Sequence, residues 1–282
     1  MECCQEIKRC DGNEVAEQVR NVQPVIALPN TIILYILSRC DYRSLLKAMA
    51  IDEVWKDCGE YTLQKESYWR NLCRNDIIKN NLVQYLSKEG DDELVYKRIY
   101  LKFFDWQEMK KCSKCTNELN VHKPEPCPAH PVTIAHRRGI LKRELKHAPL
   151  RVSGRKIEYW IYKNVTVKLS NFGKQQKFLI FSMDLSENIF YSVVVNELIP
   201  SHISTFYFYG NVLILGLQNG TVLVYFVDSW HEFSLTNYVM KCVGIRGRIR
   251  NIALKERGMK RTIAVEAARR VYTFTWVSNH NC

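Results

Sequence analysis

The hydrophobic periodicity of the chain changes once, and this change limits the possible folds more than any other sequence feature. From about residue 25 to 110, apolar residues recur at helical spacing. From about residue 157 onward they alternate with polar residues or form short β-branched runs, as in β-strands. The sequence therefore predicts an α+β multidomain protein, with an α-helical N-terminal module and a C-terminal all-β antiparallel domain.

The first helices are predicted from apolar stripes and their flanking residues. The stretch "TIILYILSRC" carries one broad helical stripe, made of Ile32, Ile33, Ile36 and Leu37. Pro29 suits the first turn of this helix, where its missing N–H costs nothing. Asp41 and Ser44 are both suitable N-caps for a second helix, and a third is predicted around Val54 to Cys58.

The β half reads as a series of hairpins. Four are predicted, starting near Ile157, Phe178, Val212 and Thr262. The clearest turn is Asn219-Gly220, because both residues tolerate a positive φ. The spacing between hairpins is irregular, so the sequence suggests a repeat without establishing one.

Four segments are predicted from these patterns. They are a flexible tail at 1–24, a helical module at 25–110, a basic connector rich in Cys, His and Pro at 111–155, and a β domain at 156–282. The connector is expected to contain one short basic helix, roughly Thr133 to Lys146.

The formal net charge of +12 is concentrated in two stretches. Residues 108–156 contain seven Lys and five Arg against four Glu, and residues 241–270 contain ten basic residues against two Glu. Such a surface can bind nucleic acid or acidic protein. No nucleic-acid recognition motif accompanies the charge, which favours an ordinary solvated face and argues against a nucleic-acid partner.

The eleven cysteines are expected to be free thiols or metal ligands. The charged N-terminal stretch has no apolar core of a secretory signal, and no run of about eighteen apolar residues predicts a membrane span. We therefore expect a cytoplasmic or nuclear location and no membrane partner.

One cysteine constellation fits a structural zinc site. Cys112-x-x-Cys115 is followed by Cys127-x-x-His130, and two such close pairs suit tetrahedral zinc. His122 is an alternative ligand. The other interpretation is that these are ordinary residues of a Pro-rich connector. No nucleophile elbow, phosphate-binding Gly-rich loop or zinc-protease helix is present in the sequence, so catalysis is not expected.

The stretch from about 28 to 76 resembles an F-box. The matching features are Leu28-Pro29, an amphipathic helix ending in Ile36-Leu37-Ser38, Asp41 at the bend, the pair Leu45-Leu46, Trp55 closing the next helix, and "WRNLC" from Trp69 to Cys73. Thr31 and Cys40 depart from the family pattern, which has an acid and a leucine there.

The resemblance implies that this module binds the Skp-family adaptor of a cullin-based ubiquitin ligase. It implies adaptor contacts at Leu28, Pro29, Ile32, Ile36, Leu37, Leu45, Leu46 and Trp55. Internal packing is the alternative for each of these residues, and it is favoured for Leu46 and for Trp69.

The segment "GNVLILGLQNGTVLVYFVDSW" resembles a blade of a WD-type propeller, with Asp228 and Trp230 after the second strand. The β half is long enough for only about three blades, whereas closed propellers have at least about four. Propeller-like blades and an open antiparallel sheet both remain compatible with the sequence.

Together these features predict a non-catalytic substrate receptor of a ubiquitin ligase that docks on the adaptor and cullin and presents an unknown target. The alternative is a zinc-stabilised, basic nucleic-acid-binding protein. Arg246, Arg248 and Arg250 alternate with apolar residues and are predicted to contact a target that is acidic or phosphorylated.

Overall fold

The computed structural model describes the side chains of residues 28–77, 81–82, 85–86, 94–112, 118–123, 131–139, 201–228, 236–258 and 260–277, and the backbone of five strands between 150 and 195. Its helices lie at 30–111 and its strands at 118–277, which confirms the α+β class. The helices with described bounds are α1 (Asn30–Leu37), α2 (Tyr42–Ala48), α3 (Glu53–Gln64), α4 (Glu66–Asp76) and α5 (Val95–Lys111). No helix in the described ranges combines the length and apolar character needed to cross a bilayer.

Helix α2 is capped by the first of the two predicted residues. The Ser44 N–H donates to Asp41 Oδ1 at 2.9 Å, and the Ser44 hydroxyl donates to Oδ2 at 2.7 Å. The backbone hydrogen bond, followed by the hydroxyl bond, lowers the pKa of the Asp41 carboxyl. Asp41 therefore ends the bend after α1 and fixes where α2 begins.

Helix α3 is longer than predicted. Trp55, which was expected to close a helix, lies near the start of α3. Asp52 is its N-cap, and its carboxylate accepts the Trp55 N–H at 2.9 Å. Trp55 thus lies in the first turn of α3, which continues for twelve residues to Gln64. The predicted span of Val54 to Cys58 covers only its first half because the later turns bury Gly59 and Thr62, which carry no apolar pattern.

In the described parts of the chain, fourteen strands form three sheets. The strands are β1 (Glu118–Asn120), β2 (Val132–Arg138), β3 (Leu150–Ser153), β4 (Ile157–Tyr162), β5 (Val165–Phe172), β6 (Gln175–Met183), β7 (Asn188–Val195), β8 (Ile203–Tyr209), β9 (Val212–Leu217), β10 (Val222–Phe226), β11 (Met240–Val243), β12 (Ile249–Arg257), β13 (Lys260–Ala267) and β14 (Arg270–Val277). The sheet orders are β3-β4-β5-β6-β7, β1-β11-β10-β9-β8 and β12-β13-β14-β2. The four predicted hairpins correspond to β4–β5, β6–β7, β9–β10 and β13–β14.

The expected connector at 111–155 contributes a strand to each of the three sheets, namely β1, β2 and β3. Where a basic helix was predicted from Thr133, the described residues form strand β2, which pairs antiparallel with β14 from Val132 opposite Trp276 to Arg138 opposite Arg270. The helix prediction is wrong for this segment because pairing along a complete strand edge outweighs local helix propensity. β1 pairs in parallel with β11, so residues 118–120 also belong to a sheet.

Tight packing explains why the β9–β10 turn contains a glycine, Gly220. Gly220 has φ +84, and a Cβ on it would lie 1.9 Å from the Ile245 carbonyl oxygen. Gly220→Ala is therefore expected to lower the free energy of unfolding by more than the ~1–2 kcal/mol of a left-handed residue alone. Chemical denaturation measures this loss. Gly258→Ala is the matched control, because Gly258 also has a positive φ (+55) but open space around its Cβ position.

Candidate protein-docking surface

The broad apolar stripe of helix α1 is divided between two neighbouring sides, about 100° apart around the helix axis. Ile33 and Leu37, one turn apart, are almost fully buried at 2% and 0% exposure. Ile32 and Ile36, also one turn apart, point outward and are 45% and 37% exposed. A helix at the surface of a folded domain normally carries polar residues on its outer face. The second stripe of α1 is therefore free to contact a partner.

The outer stripe extends beyond the two isoleucines. We call the exposed residues Leu28, Pro29, Ile32, Tyr35 and Ile36 the α1 surface. Ile32, Tyr35 and Ile36 recur at spacings of three and four, which places them on one side of the helix, and Leu28 and Pro29 precede its first residue. The helix sequence, "NTIILYIL", contains no charged residue, and the guanidinium of Arg39 lies 5.5 Å from the centre of the Tyr35 ring. An exposed apolar stripe is typical of a protein-binding site.

Exposed apolar side chains are concentrated in the N-terminal helices. Among the described residues, ten large hydrophobic side chains are exposed, and eight of them lie between residues 28 and 61. They are Leu28, Ile32, Tyr35, Ile36, Leu46, Ile51, Val54 and Tyr61. The other two, Leu94 and Val277, lie in separate parts of the chain.

The structure divides the eight residues expected at the adaptor interface into three groups. Leu28, Pro29, Ile32, Ile36 and Leu46 are exposed. Leu37 and Leu45 have no exposed surface, which contradicts their expected surface position, because they fill the core between α1, α2 and α3. Trp55 is half-buried and packs against the same core. Trp69 is buried as expected, but the internal packing favoured for Leu46 is wrong.

An aromatic cluster holds the helices behind the α1 surface. The ring of Tyr42 lies 5.3 Å from that of Trp69 and 5.0 Å, edge-on, from that of Phe104. Tyr100 completes the cluster, and its hydroxyl donates to Asp76 Oδ2. Burial, together with this bond, raises the pKa of Tyr100, which keeps the hydroxyl protonated as a donor.

Helix α5 joins this cluster to the β-sheets through aromatic contacts. Its Phe103 ring lies 5.2 Å from that of Phe226 on β10, and its Trp106 ring lies 5.3 Å, edge-on, from that of Trp276 on β14. All four side chains are at most 3% exposed. α5 is therefore embedded in both halves of the chain instead of ending with the helical module.

Buried charges reinforce the contact of α5 with the β12–β13 hairpin. The guanidinium of Arg261 forms an ion pair with Asp105 of α5 and lies 3.5 Å from the Glu256 carboxylate. The Trp106 indole N–H donates to the same Glu256 carboxylate at 3.0 Å. These three charged side chains are at most 6% exposed, so their mutual pairing keeps their charges compatible with burial.

A fourth polar contact lies at the end of α5. Lys110 Nζ lies 2.7 and 2.8 Å from the two carboxylate oxygens of Asp228, which follows β10. Asp228 is the acidic residue of the blade-like segment, whereas Trp230 lies outside the described residues. Asp228 therefore anchors α5 to the blade-like hairpin.

The three candidate target-binding arginines are exposed. Arg246 and Arg248 lie in the loop before β12, and Arg250 lies at its start. Ile245, Ile249 and Ile252 are buried, as the alternation predicts. Gly247, at φ +88, turns the loop, so the first two arginines are not in the strand that the pattern suggested.

Of the four candidate zinc ligands, only Cys112 falls among the described residues. It is half-buried just after α5, while Cys115, Cys127 and His130 lie outside the described ranges. His122, the alternative ligand, is exposed. Within the described part of the chain, no three His, Cys, Asp or Glu side chains come together as a metal site.

Two other cysteines are deeply buried. Burial raises the pKa of the Cys73 and Cys242 thiols, so both stay protonated and behave as small apolar side chains.

Comparisons with known proteins assign this chain to no family. No family model matches the chain, and no curated protein matches it either.

Proposed function

We propose that the chain is a substrate receptor of a cullin-based ubiquitin ligase, in which the F-box-like module binds a Skp-family adaptor. The observation that carries this proposal is the α1 surface, an exposed apolar stripe beside the stripe that α1 buries. Apolar anchors of this kind supply most of the binding energy at a protein interface. The order of F-box-like residues in the sequence supports the same assignment.

The β-sheets are proposed to hold the target. Each sheet contains a meander of strands that follow one another along the chain, namely β3–β7, β8–β11 and β12–β14. β1 adds to the second of these, and β2, near the start of the β region, pairs with the last strand, β14. The pairing of an early strand, β2, with the last strand, β14, supports a set of blade-like sheets. The three meanders are fewer than the four or more blades of a closed propeller.

Helix α5 gives the proposed receptor a fixed geometry. Because its aromatic and charged side chains pack against both the helices and the sheets, a target on the sheets would keep a defined position relative to the adaptor. Holding target lysines near a loaded ubiquitin enzyme raises their effective concentration, which is the whole contribution of a non-catalytic receptor. The ubiquitin-transfer chemistry belongs to other subunits.

The proposal is tested by co-purification of the adaptor and cullin with the tagged chain from cells. Leu28→Ala together with Pro29→Ala is expected to reduce adaptor recovery at least about tenfold, because it removes two exposed anchors. Leu94→Ala is the matched control, since Leu94 is similarly exposed at 46% but lies outside the F-box-like stretch at 28–76. Undiminished adaptor recovery with the double variant would contradict the proposed docking site.

A further inference from the structure

The outer face of the β12–β14 sheet contains a basic groove of about 360 Å³. We call it the β12–β13 groove; its lining residues are Ala253, Lys255, Arg257, Lys260, Thr262, Ala264 and Thr273. This volume is within the ~300–1,000 Å³ of typical ligand sites. The strand register places Lys255 opposite Thr262 and Arg257 opposite Lys260, so all three cations lie on one face.

The three cations of the groove are exposed and lack acidic partners among the described residues. No described carboxylate lies within ion-pair distance of Lys255, Arg257 or Lys260. The two acidic residues of the same hairpin either face away from the groove or already have a hydrogen-bond partner. Glu256 faces α5 and binds Trp106, while Glu266 accepts a hydrogen bond from Asn251 at 2.7 Å.

This placement of charge works against folding. Arg257 and Lys260 are directly opposite each other on neighbouring strands, where like charges repel. Lys255 is two residues from Arg257 on the same face, which adds to the repulsion. Stability therefore does not account for the three cations, whereas an anionic ligand would neutralise them.

The side chains at the base of the groove are small, and the threonine hydroxyls among them already have hydrogen-bond partners. Ala253 and Ala264 are buried at its base. The Thr262 hydroxyl lies 3.0 Å from that of Thr275, and the Thr273 hydroxyl donates to the Ala135 carbonyl. Short side chains let an extended chain approach the sheet closely, so the cations at the rim are the groups that would bind its acidic side chains.

We propose that the β12–β13 groove binds the target through an extended peptide segment bearing phosphorylated or acidic side chains at alternate positions. Alternate side chains of an extended peptide point to one side, with the same two-residue spacing that separates Lys255 from Arg257. No aromatic side chain lines the groove among the described residues, so it lacks the platform on which nucleic-acid bases stack. This inference rests on the proposed function, because it names the chemical class of the target.

The probe is a short fluorescent peptide with phosphoserine at alternate positions, titrated with the full chain and followed by anisotropy. It is expected to bind, and its unphosphorylated form is expected to bind more weakly. Lys255→Ser, Arg257→Ser and Lys260→Ser together should weaken phosphopeptide binding at least about tenfold, because they remove all the charge-assisted contacts. The matched control, Arg137→Ser with Arg138→Ser and Arg270→Ser, removes equal charge from exposed positions at the other end of the same sheet and is expected to change affinity less than about threefold. A loop variant, Arg246→Ser with Arg248→Ser and Arg250→Ser, tests the three candidate target-binding arginines directly.

Adaptor capture by each variant separates the two proposals. If the groove variant keeps the adaptor and binds the phosphopeptide as tightly as the parent, the groove inference fails alone. Loss of peptide binding only in the loop variant would assign the target to the three arginines instead. A chain that binds a single-stranded oligonucleotide but no phosphopeptide would overturn the inference in favour of nucleic acid. Failure of every variant and the parent to capture the adaptor would refute the proposed function itself.

Discussion

Replacing Arg261 with leucine is expected to lower the free energy of unfolding by about 3–5 kcal/mol. The side chain is 1% exposed and is the cation shared by Asp105 of α5 and Glu256 of β12. Leucine would leave two buried carboxylates without their guanidinium, and an uncompensated buried charge is far more costly than a lost surface contact. Urea denaturation followed by tryptophan fluorescence measures the loss, and Trp106 is in direct contact with the site.

The control for this prediction lies in the same hairpin. Arg257→Leu makes the same chemical change at an exposed position without an acidic partner among the described residues, so its effect should stay within about 0.5 kcal/mol. If Arg261→Leu destabilised the protein no more than Arg257→Leu, the buried ion pairs would not be what fixes α5 against the sheet.

The second large effect is expected at the α1 surface. Ile32→Asp with Ile36→Asp should weaken adaptor binding by at least about 100-fold, because two central anchors are replaced by charges that must lose water on binding. Both side chains already face solvent, so the helices should remain folded. Binding of the purified adaptor, measured alongside circular dichroism, separates loss of docking from loss of structure.

Leu94→Asp with Val277→Asp provides the control for the charge itself. These two residues are exposed to a similar degree, 46% and 45%, but lie outside the F-box-like stretch at 28–76. They introduce the same two negative charges and should leave adaptor affinity unchanged. A comparable loss with this control would mean that net charge, and not the α1 surface, governs the binding.

Sequence reasoning located the helices but not the orientation of α1. Ile32 and Ile36 form one stripe and Ile33 and Leu37 another, and both are apolar. Hydrophobicity therefore does not distinguish the stripe that is buried from the one that is exposed. Tertiary packing decides this, because α1 packs against α3 and Ile33 and Leu37 are the residues of α1 that become buried.

Sheet edges and fully buried strands were also difficult to predict. Strand β8 was missed because all seven of its residues are buried, which removes the alternation of a half-exposed strand. Strand β2 was taken for a helix because its partner, β14, lies more than a hundred residues away in the sequence. The groove had a local signature in the alternating Ala253, Lys255 and Arg257, but Lys260 joins them only once the hairpin register is known.

The proposed receptor function is tested most directly by titrating the purified full chain with a purified Skp-family adaptor at two salt concentrations. It predicts a saturable one-to-one complex with nearly equal affinity at about 50 and 200 mM salt, because the α1 surface is uncharged. Phosphate-backbone binding by six to ten cations would instead weaken about 10³–10⁵-fold over that range. No adaptor complex at either salt concentration, together with steeply salt-dependent oligonucleotide binding, would contradict the receptor assignment and favour a basic nucleic-acid-binding protein.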